Sequence, residues 1–340
     1  MFFLGVKSVI GNGMIRVKIL TDKLITEKLF TYYVCIKKKK FNVAFFQLPI
    51  VFFFKKSEKK DGRGHFFQFF QIETKNFPYL RIIIRNHPLS MKQSDCIVII
   101  PTYNEKENIE KIIRAVFALE KAFHILVIDD GSPDGTADIV KRLMQTDFLG
   151  ELFLIERSGK QGLGTAYIAG FKWALEHKYD YIFEMDADFS HDPNDLPRLY
   201  SACADEGYDL SIGSRYISGV NVINWPMSRV LMSYFASMYV RLITGLKIQD
   251  TTAGFKCYKR RVLSTIQLDK IRFKGYAFQI EMKYTTYKCG FKIKEVPVVF
   301  VNRVEGVSKM NGSIFSEAFF GVMRLRLDGW FKKYPKINEK

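Results

Sequence analysis

Cysteine is scarce in this chain and shows no pairing pattern. Cys35, Cys96, Cys203, Cys257 and Cys289 are odd in number, far apart, and never spaced Cys-x-x-Cys. That argues against a zinc site and a disulfide framework and fits a reducing compartment. Long hydrophobic runs are also missing. The longest, Phe41 to Phe54, spans 14 residues and contains Asn42, Gln47 and Pro49, whereas a membrane span needs about 20 apolar residues. The start lacks the ordered charged, apolar and small-residue regions of a signal peptide. Nor is there a dinucleotide fingerprint or a Walker loop. Gly159-Lys160-Gln161-Gly162-Leu163-Gly164 has neither spacing, and reads as a loop whose glycines let the backbone pass close to a ligand.

The 340 residues suffice for one large domain or two ordinary ones, and 48% hydrophobic with 26% charged residues is a globular balance. A net charge of +17 would suggest nucleic acid or an anionic membrane, but it is unevenly placed. Residues 1–90 hold 17 basic and 5 acidic side chains, and the remainder 35 and 30. The first 90 residues also carry 14 of the 31 Phe, in clumps alternating with lysines such as Lys37–Lys40, and no helical or strand period orders them. A basic-aromatic arm for a membrane surface is one reading. The favoured reading is a disordered segment or a start assigned too early, with Met91 as the true beginning. No function is placed there, and no nucleic-acid partner is expected.

From residue 96 the texture is that of a folded domain. Cys96–Ile100 reads as a buried strand stopped by Pro101, followed by a helix with Ile109, Ile112, Ile113, Val116 and Phe117 on one face. Strands at His124–Ile128, Leu152–Ile155 and Tyr181–Phe183 alternate with helices through Val140 and from Ala166 to Leu175. The alternation implies an α/β fold with a mostly parallel sheet covered on both faces, and ligands in such sheets lie at the carboxyl ends of the strands. Three strands stop at polar segments: Pro101-Thr102-Tyr103-Asn104-Glu105, Asp129-Asp130, and Asp186-Ala187-Asp188.

An Asp-x-Asp at a strand end can hold a hard divalent cation bridging to a substrate phosphate. Taken alone it is more often an acidic turn. Here Arg215, Arg229, Arg303 and Lys309 lie downstream. Each is by itself usually a solvated charge, but as a set they suit a substrate with several phosphates.

The segment 96–311 resembles the dolichyl-phosphate mannosyltransferases (polyprenyl-monophosphomannose synthases) of glycosyltransferase family 2, which have the Rossmann-like GT-A fold. The motifs are Pro101–Glu105, Asp129-Asp130-Gly131-Ser132-Pro133-Asp134-Gly135-Thr136, Met185–His191, Gly213-Ser214-Arg215-Tyr216 and Arg303–Lys309. The resemblance implies inverting transfer of mannose from GDP-mannose to a polyprenyl (dolichyl or undecaprenyl-type) phosphate. Pro101, Tyr103, Glu105, Ile128 and Asp130 would hold guanosine. Asp186, Ala187 and Asp188 would meet the nucleotide sugar, the two acids binding Mg²⁺ or Mn²⁺. Ser190, where relatives often carry Gln, is a third metal candidate. Arg215, Arg303 and Lys309 would bind the donor diphosphate and lipid phosphate, with Arg229 a weaker candidate, and Asp188, Arg215, Arg303 and Lys309 would form the catalytic set. Glu281 stands where many relatives place an acid, and a structural role for it is equally open.

A lipid monophosphate has a second pKa near about 6 and needs no general base, unlike a hydroxyl acceptor. No dedicated base stands out. The alternatives are a polyprenyl-phosphate transferase using another donor such as UDP-glucose, a family 2 transferase acting on a carbohydrate hydroxyl, and a nucleotide-binding module without catalysis. For the lipid tail, Val230–Ile243 and Ile314–Trp330 are apolar stripes of the kind more often buried as core. The second has the basic and aromatic pattern of an interfacial helix. The expected organisation is a segment 1–90, a catalytic domain 91–312 and an amphipathic helix in 313–340. The expected location is the cytoplasmic face of the membrane, peripherally bound.

Overall fold

The computed structural model describes residues 2–10, 13–21, 30–36, 44–50, 94–275, 277–302 and 312–336. The chain divides into two units, Met1–Ser90 and Met91–Lys340. In the first, β1 (Phe2–Ile10) pairs antiparallel with β2 (Gly13–Thr21), and β3 (Phe30–Ile36) with β4 (Ala44–Ile50). The rest of residues 1–90, and Met91, the start favoured from the sequence, lie outside the described residues.

The second unit is built on β5 (Cys96–Thr102), β6 (His124–Asp129), β7 (Leu152–Glu156), β8 (Tyr181–Glu184), β9 (Leu210–Ser214), β11 (Lys256–Lys259) and β12 (Ile293–Pro297). The short β10 (Val222–Ile223) pairs with β13 (Phe300–Val301) outside this sheet. The sheet order is β12-β9-β11-β8-β5-β6-β7, with β11 antiparallel to both neighbours and the other pairs parallel. Successive strand residues point to opposite faces. Ile97 and Ile99 therefore join one buried cluster, and Cys96, Val98 and Ile100 the other. On the first face pack α3 (Leu163–Glu176), α6 (Arg260–Thr265) and α7 (Ala277–Lys288), and on the second α1 (Ile109–Phe117), α2 (Thr136–Thr146) and α4 (Leu196–Ala204).

Strand β5 does not stop at Pro101 but runs through it. Ile99 carbonyl accepts from Met185 N–H on the β8 side, and Thr102 carbonyl from Asp130 N–H on the β6 side. The alternation turns Pro101 toward β8, where pairing has already ended at Ile99–Glu184, so its missing N–H forfeits no ladder bond.

Helices α5 (Met227–Thr244) and α8 (Gly312–Phe331) pack on each other, with the Tyr239 and Phe319 rings stacked at 4.8 Å. The stripe on α5 is not core. Only Ser237, Val240 and Thr244 of that helix are buried, while Met227, Leu231, Phe235 and Leu242 are exposed. Helix α8 buries Val322 and Leu325 and exposes Phe320, Leu327, Trp330 and Phe331. No helix among the described residues is long and apolar enough to cross a membrane.

Gly170 of α3 lies against β5, and a Cβ there would sit 2.7 Å from Ile99 Cγ2. Alanine would gain up to about 1 kcal/mol of helix propensity, but overpacking a filled core costs about 1–3 kcal/mol. Gly170→Ala should therefore lower unfolding stability by about 1–2 kcal/mol in a urea titration; an increase would show that Ile99 yields freely.

Candidate active site

The sheet order turns at β5, with β6 and β7 on one side and β8 on the other, so the loops after β5, β6 and β8 meet at one edge. The first two are fastened together. Three successive backbone N–H groups after β5 are accepted by side chains of the β6–α2 loop: Asn104 by Ser132 Oγ at 3.0 Å, Glu105 by Thr136 Oγ1 at 3.1 Å, and Lys106 by Asp134 Oδ2 at 3.1 Å. Asp129 is the base of this clamp. Its carboxylate accepts from Thr102 Oγ1 at 2.8 Å, Ser132 Oγ at 2.6 Å and Ser132 N–H at 2.8 Å. Burial raises the Asp134 pKa, but bonds from Thr136 and from Lys106 N–H outweigh it and hold the carboxyl below its ordinary value. The Ser-Pro-Asp-Gly-Thr motif thus presets the Tyr103–Glu105 loop.

Of the other expected nucleoside contacts, Pro101 lies beside this loop in β5, and Ile128 has its side chain wholly buried in the core. Asp130 is buried against Arg157, whose Nε donates at 2.6 Å, while Arg157 Nη1 reaches Thr165 Oγ1 at 2.7 Å. Arg157 follows a strand rather than joining a motif, and nothing local marks it. Gly162 and Gly164 do serve a close approach, but to protein: added Cβ atoms would meet the backbone oxygens of Lys274 at 2.9 Å and Phe273 at 2.8 Å.

After β8 come Asp186 and Asp188. Ala187 between them is buried in the core. Asp186 accepts from Tyr167 hydroxyl at 3.4 Å, and its N–H donates to His191 Nδ1 at 3.2 Å. Burial pushes His191 down to about 4, so the ring is neutral with its proton on Nε2. Asp188 Oδ1 accepts from Ser190 hydroxyl at 2.6 Å and Ser190 N–H at 3.1 Å, so Ser190 orients Asp188. The turn is bought with backbone strain: Phe189 has φ +58°, a region bulky residues avoid.

Arg215 opens the opposite wall. It is buried, and Asp250 accepts from its Nε and Nη2 at 2.7 Å each and from its N–H at 3.0 Å; Thr252 Oγ1 accepts at 2.7 Å. Burial opposes both charges, yet each partner dominates, lowering the Asp250 pKa and raising that of Arg215. Trp225 lies between the two arginines, 3.9 Å from Arg229 and 5.4 Å from Arg215. Arg229 also donates to Asn302 Oδ1 at 2.8 Å. Arg303 and Lys309 lie outside the described residues. Glu281 is structural: its buried carboxylate accepts from Arg272 and Phe273 N–H at 2.9 and 3.0 Å.

These walls enclose a cavity of about 500 Å³. One end is polar, with Asp186, Asp188, Ser190, His191 and Arg215; the other is apolar, with Phe235, Tyr239 and Val240 of α5 and Phe319 and Val322 of α8. No cluster of three or more His, Cys, Asp or Glu that could hold a metal occurs among the described residues. Two carboxylates fit Mg²⁺ or Mn²⁺ all the same, since such ions are commonly held by one or two carboxylates plus substrate phosphates.

Arg215→Met should leave Asp250 buried without its cation and cost about 3–5 kcal/mol at pH 7. In the parent protein the depressed Asp250 contributes stability above its unfolded pKa of about 3.9, lost as pH falls through the folded value. In the variant burial raises the folded pKa, so stability should instead recover as pH drops from 7 toward 5. Chemical denaturation at both pH values checks this, and a pH-independent loss would refute it.

The Glycosyl transferase family 2 model matches residues 97–267. The chain is 47% identical over 236 residues to the polyprenol monophosphomannose synthase of Mycolicibacterium smegmatis, covering 68% of this chain and 88% of that protein. It is 44% identical over 228 residues to the undecaprenyl-phosphate mannosyltransferase of Micrococcus luteus, covering 67% and 92%. Among solved structures, glucosyl-3-phosphoglycerate synthase from Mycobacterium tuberculosis, in complex with Mn²⁺, UDP and glucosyl-3-phosphoglycerate, matches with a TM-score of 0.50 at 17% identity, over 71% of this chain and 81% of that one. With the mostly parallel sheet and the acids at its carboxyl edge, these likenesses place the chain in glycosyl transferase family 2, as a glycosyltransferase of the GT-A fold.

Proposed function

We propose that the protein transfers mannose, with inversion, from GDP-mannose to a polyprenyl monophosphate at a membrane surface. The observation that carries this reading is the two-ended cavity, acidic and cationic at the sheet edge and apolar between α5 and α8. A lipid phosphate needs both ends at once. The curated relatives, named for polyprenol monophosphomannose synthesis and undecaprenyl-phosphate mannosyl transfer, support the same donor sugar and acceptor class.

In this reading the loop Tyr103–Glu105, preset by Ser132, Asp134 and Thr136, receives the nucleoside. Asp186 and Asp188 would hold the divalent cation, which when bound neutralises charge on the diphosphate. Arg229 and Arg215 face the phosphates from the other wall. Three of Arg215's five N–H donors are taken by Asp250 and Thr252, which leaves the two on Nη1 for a ligand. Arg303 and Lys309 would add charge to that wall. An oxygen of the acceptor phosphate attacks the anomeric carbon, the bond from that carbon to the diphosphate oxygen breaks, and GDP leaves with the electron pair. Among the described residues lining the cavity, the only carboxylates are Asp186 and Asp188. With both committed to the cation, none remains as a base, which suits a phosphate dianion better than a hydroxyl acceptor.

The exposed apolar faces of α5 and α8 lie beside the apolar end of the cavity and would rest on the bilayer, placing the enzyme peripherally at the cytoplasmic face.

The test uses the full chain with Mg²⁺ or Mn²⁺, a polyprenyl phosphate and a panel of nucleotide sugars. A mannosyl-lipid formed from GDP-mannose is expected. Product from another donor alone would overturn the mannose reading, and hydrolysis without lipid product the acceptor reading. Asp188→Ala should abolish metal-dependent turnover, by at least about 10³-fold, while leaving the unfolding midpoint within a few degrees. Leu242→Asp with Phe331→Asp should release the protein from sedimenting lipid vesicles; undiminished binding would refute this membrane face.

A further inference from the structure

Helix α7 carries Gln279 into the cavity wall, where its side chain is held at both ends by a buried ion pair. The register of β8 and β11 sets Lys256 opposite Glu184, and both are fully buried with Lys256 Nζ 3.0 Å from Glu184 Oε1. The ammonium donates to Tyr258 hydroxyl at 3.0 Å and to Gln279 Oε1. Glu184 Oε1 faces the ammonium as an ion-pair contact without a hydrogen bond of good geometry. Gln279 Nε2 donates to Glu184 Oε2 at 2.8 Å. An ammonium can only face the amide oxygen and a carboxylate only the amide nitrogen, so the amide cannot flip.

Stability does not explain this arrangement. Burying two charges costs several kcal/mol per ion, and apolar replacements of such pairs are often as stable or more so. What the pair does achieve is a fixed direction for one amide. Its second N–H has no acceptor among the described residues. Beside Nε2 the wall is Gly254, where an added Cβ would lie 3.6 Å from Nε2 and 3.7 Å from His191 Cε1. Glycine keeps that spot open.

We propose that Gln279 is a specificity-determining residue, its free N–H donating to a hydroxyl of the transferred sugar, with Lys256 and Glu184 as its positioning residues. The inference rests on the proposed transfer from a nucleotide sugar. The sugar must lie between the diphosphate held near Asp186 and Asp188 and the acceptor phosphate, and Gln279, Gly254 and His191 line that same cavity.

The experiment uses the full chain, GDP, GDP-mannose and a set of monodeoxy GDP-mannose donors. Wild-type turnover of GDP-mannose comes first, since its absence rejects the parent reading and not this one. Gln279→Met and Gly254→Ala should each lower kcat/KM for GDP-mannose by about 10–100-fold, the size of one well-formed hydrogen bond, while GDP affinity stays within about twofold. The second variant meets only ordinary van der Waals contacts and so guards against a folding defect in the first. One deoxy donor should react equally slowly with wild type and both variants, because the lost hydroxyl and the lost N–H are the same interaction. Equal losses of GDP and GDP-mannose affinity would overturn the proposal by making the role structural. So would wild-type kinetics in Gly254→Ala, or variant losses that simply add to every deoxy penalty.

Discussion

The Arg215–Asp250 pair is the constraint on which the cavity depends. It is buried, so neither charge is tolerable without the other, and it ties the end of β9 to the loop before β11. Asp250 is fixed from behind as well. Its N–H donates to Glu295 Oε1 at 2.8 Å, the Gln249 N–H to Glu295 Oε2 at 2.7 Å, and Ser214 hydroxyl to Glu295 Oε1 at 2.7 Å. Lys283, wholly buried, completes the loop by donating to the carbonyls of Thr251 and Ala253 at 3.0 and 2.6 Å. Burial and the nearby Lys256 hold its pKa well below the ordinary lysine value. Residues 249–254 are thereby held by protein contacts alone, and a wall that need not reorganise loses no binding energy to ordering.

The β-α alternation and the three polar strand ends were legible because apolar runs in a parallel sheet are continuous and their stops are abrupt. The Asp186–Asp188 pair was legible for the same reason. Three things were not. Pro101 looks like a terminator until the strand order shows its nitrogen facing an ended pairing. Asp130 carries its partner 27 residues later, in Arg157, a distance no local period spans. Gln279 sits in an unremarkable Phe-Gln-Ile-Glu, and its significance comes from Lys256 and Glu184 on other elements. A signal did exist: Glu184 closes the apolar run Tyr181-Ile182-Phe183 and Lys256 opens Cys257-Tyr258, and a charge carried into the core by such a run requires a partner. The stripe on α5 misled for a different reason. Periodicity reports that a face is apolar and says nothing of what covers it.

That uncovered face fits the proposed chemistry. Met227, Leu242, Phe320, Trp330 and Phe331 are each more than 60% exposed, and at about 25 cal/mol per Å² of apolar surface such a concentration is costly to leave in water. In the proposed function a bilayer would remove the cost without a second protein. It also solves a delivery problem: a polyprenyl chain leaves the membrane only at great expense, so an enzyme that works on its phosphate has to come to it. In that reading, an apolar end between α5 and α8 would let the tail stay in apolar surroundings while the phosphate reaches Arg215 and Arg229. Cations on one wall and Asp186 with Asp188 on the other would then serve the two phosphate-bearing substrates. In the proposed reaction the cations would take phosphate charge directly, and the acids would take the donor's through a divalent ion. Neither wall alone could hold both anions at bonding distance from one anomeric carbon.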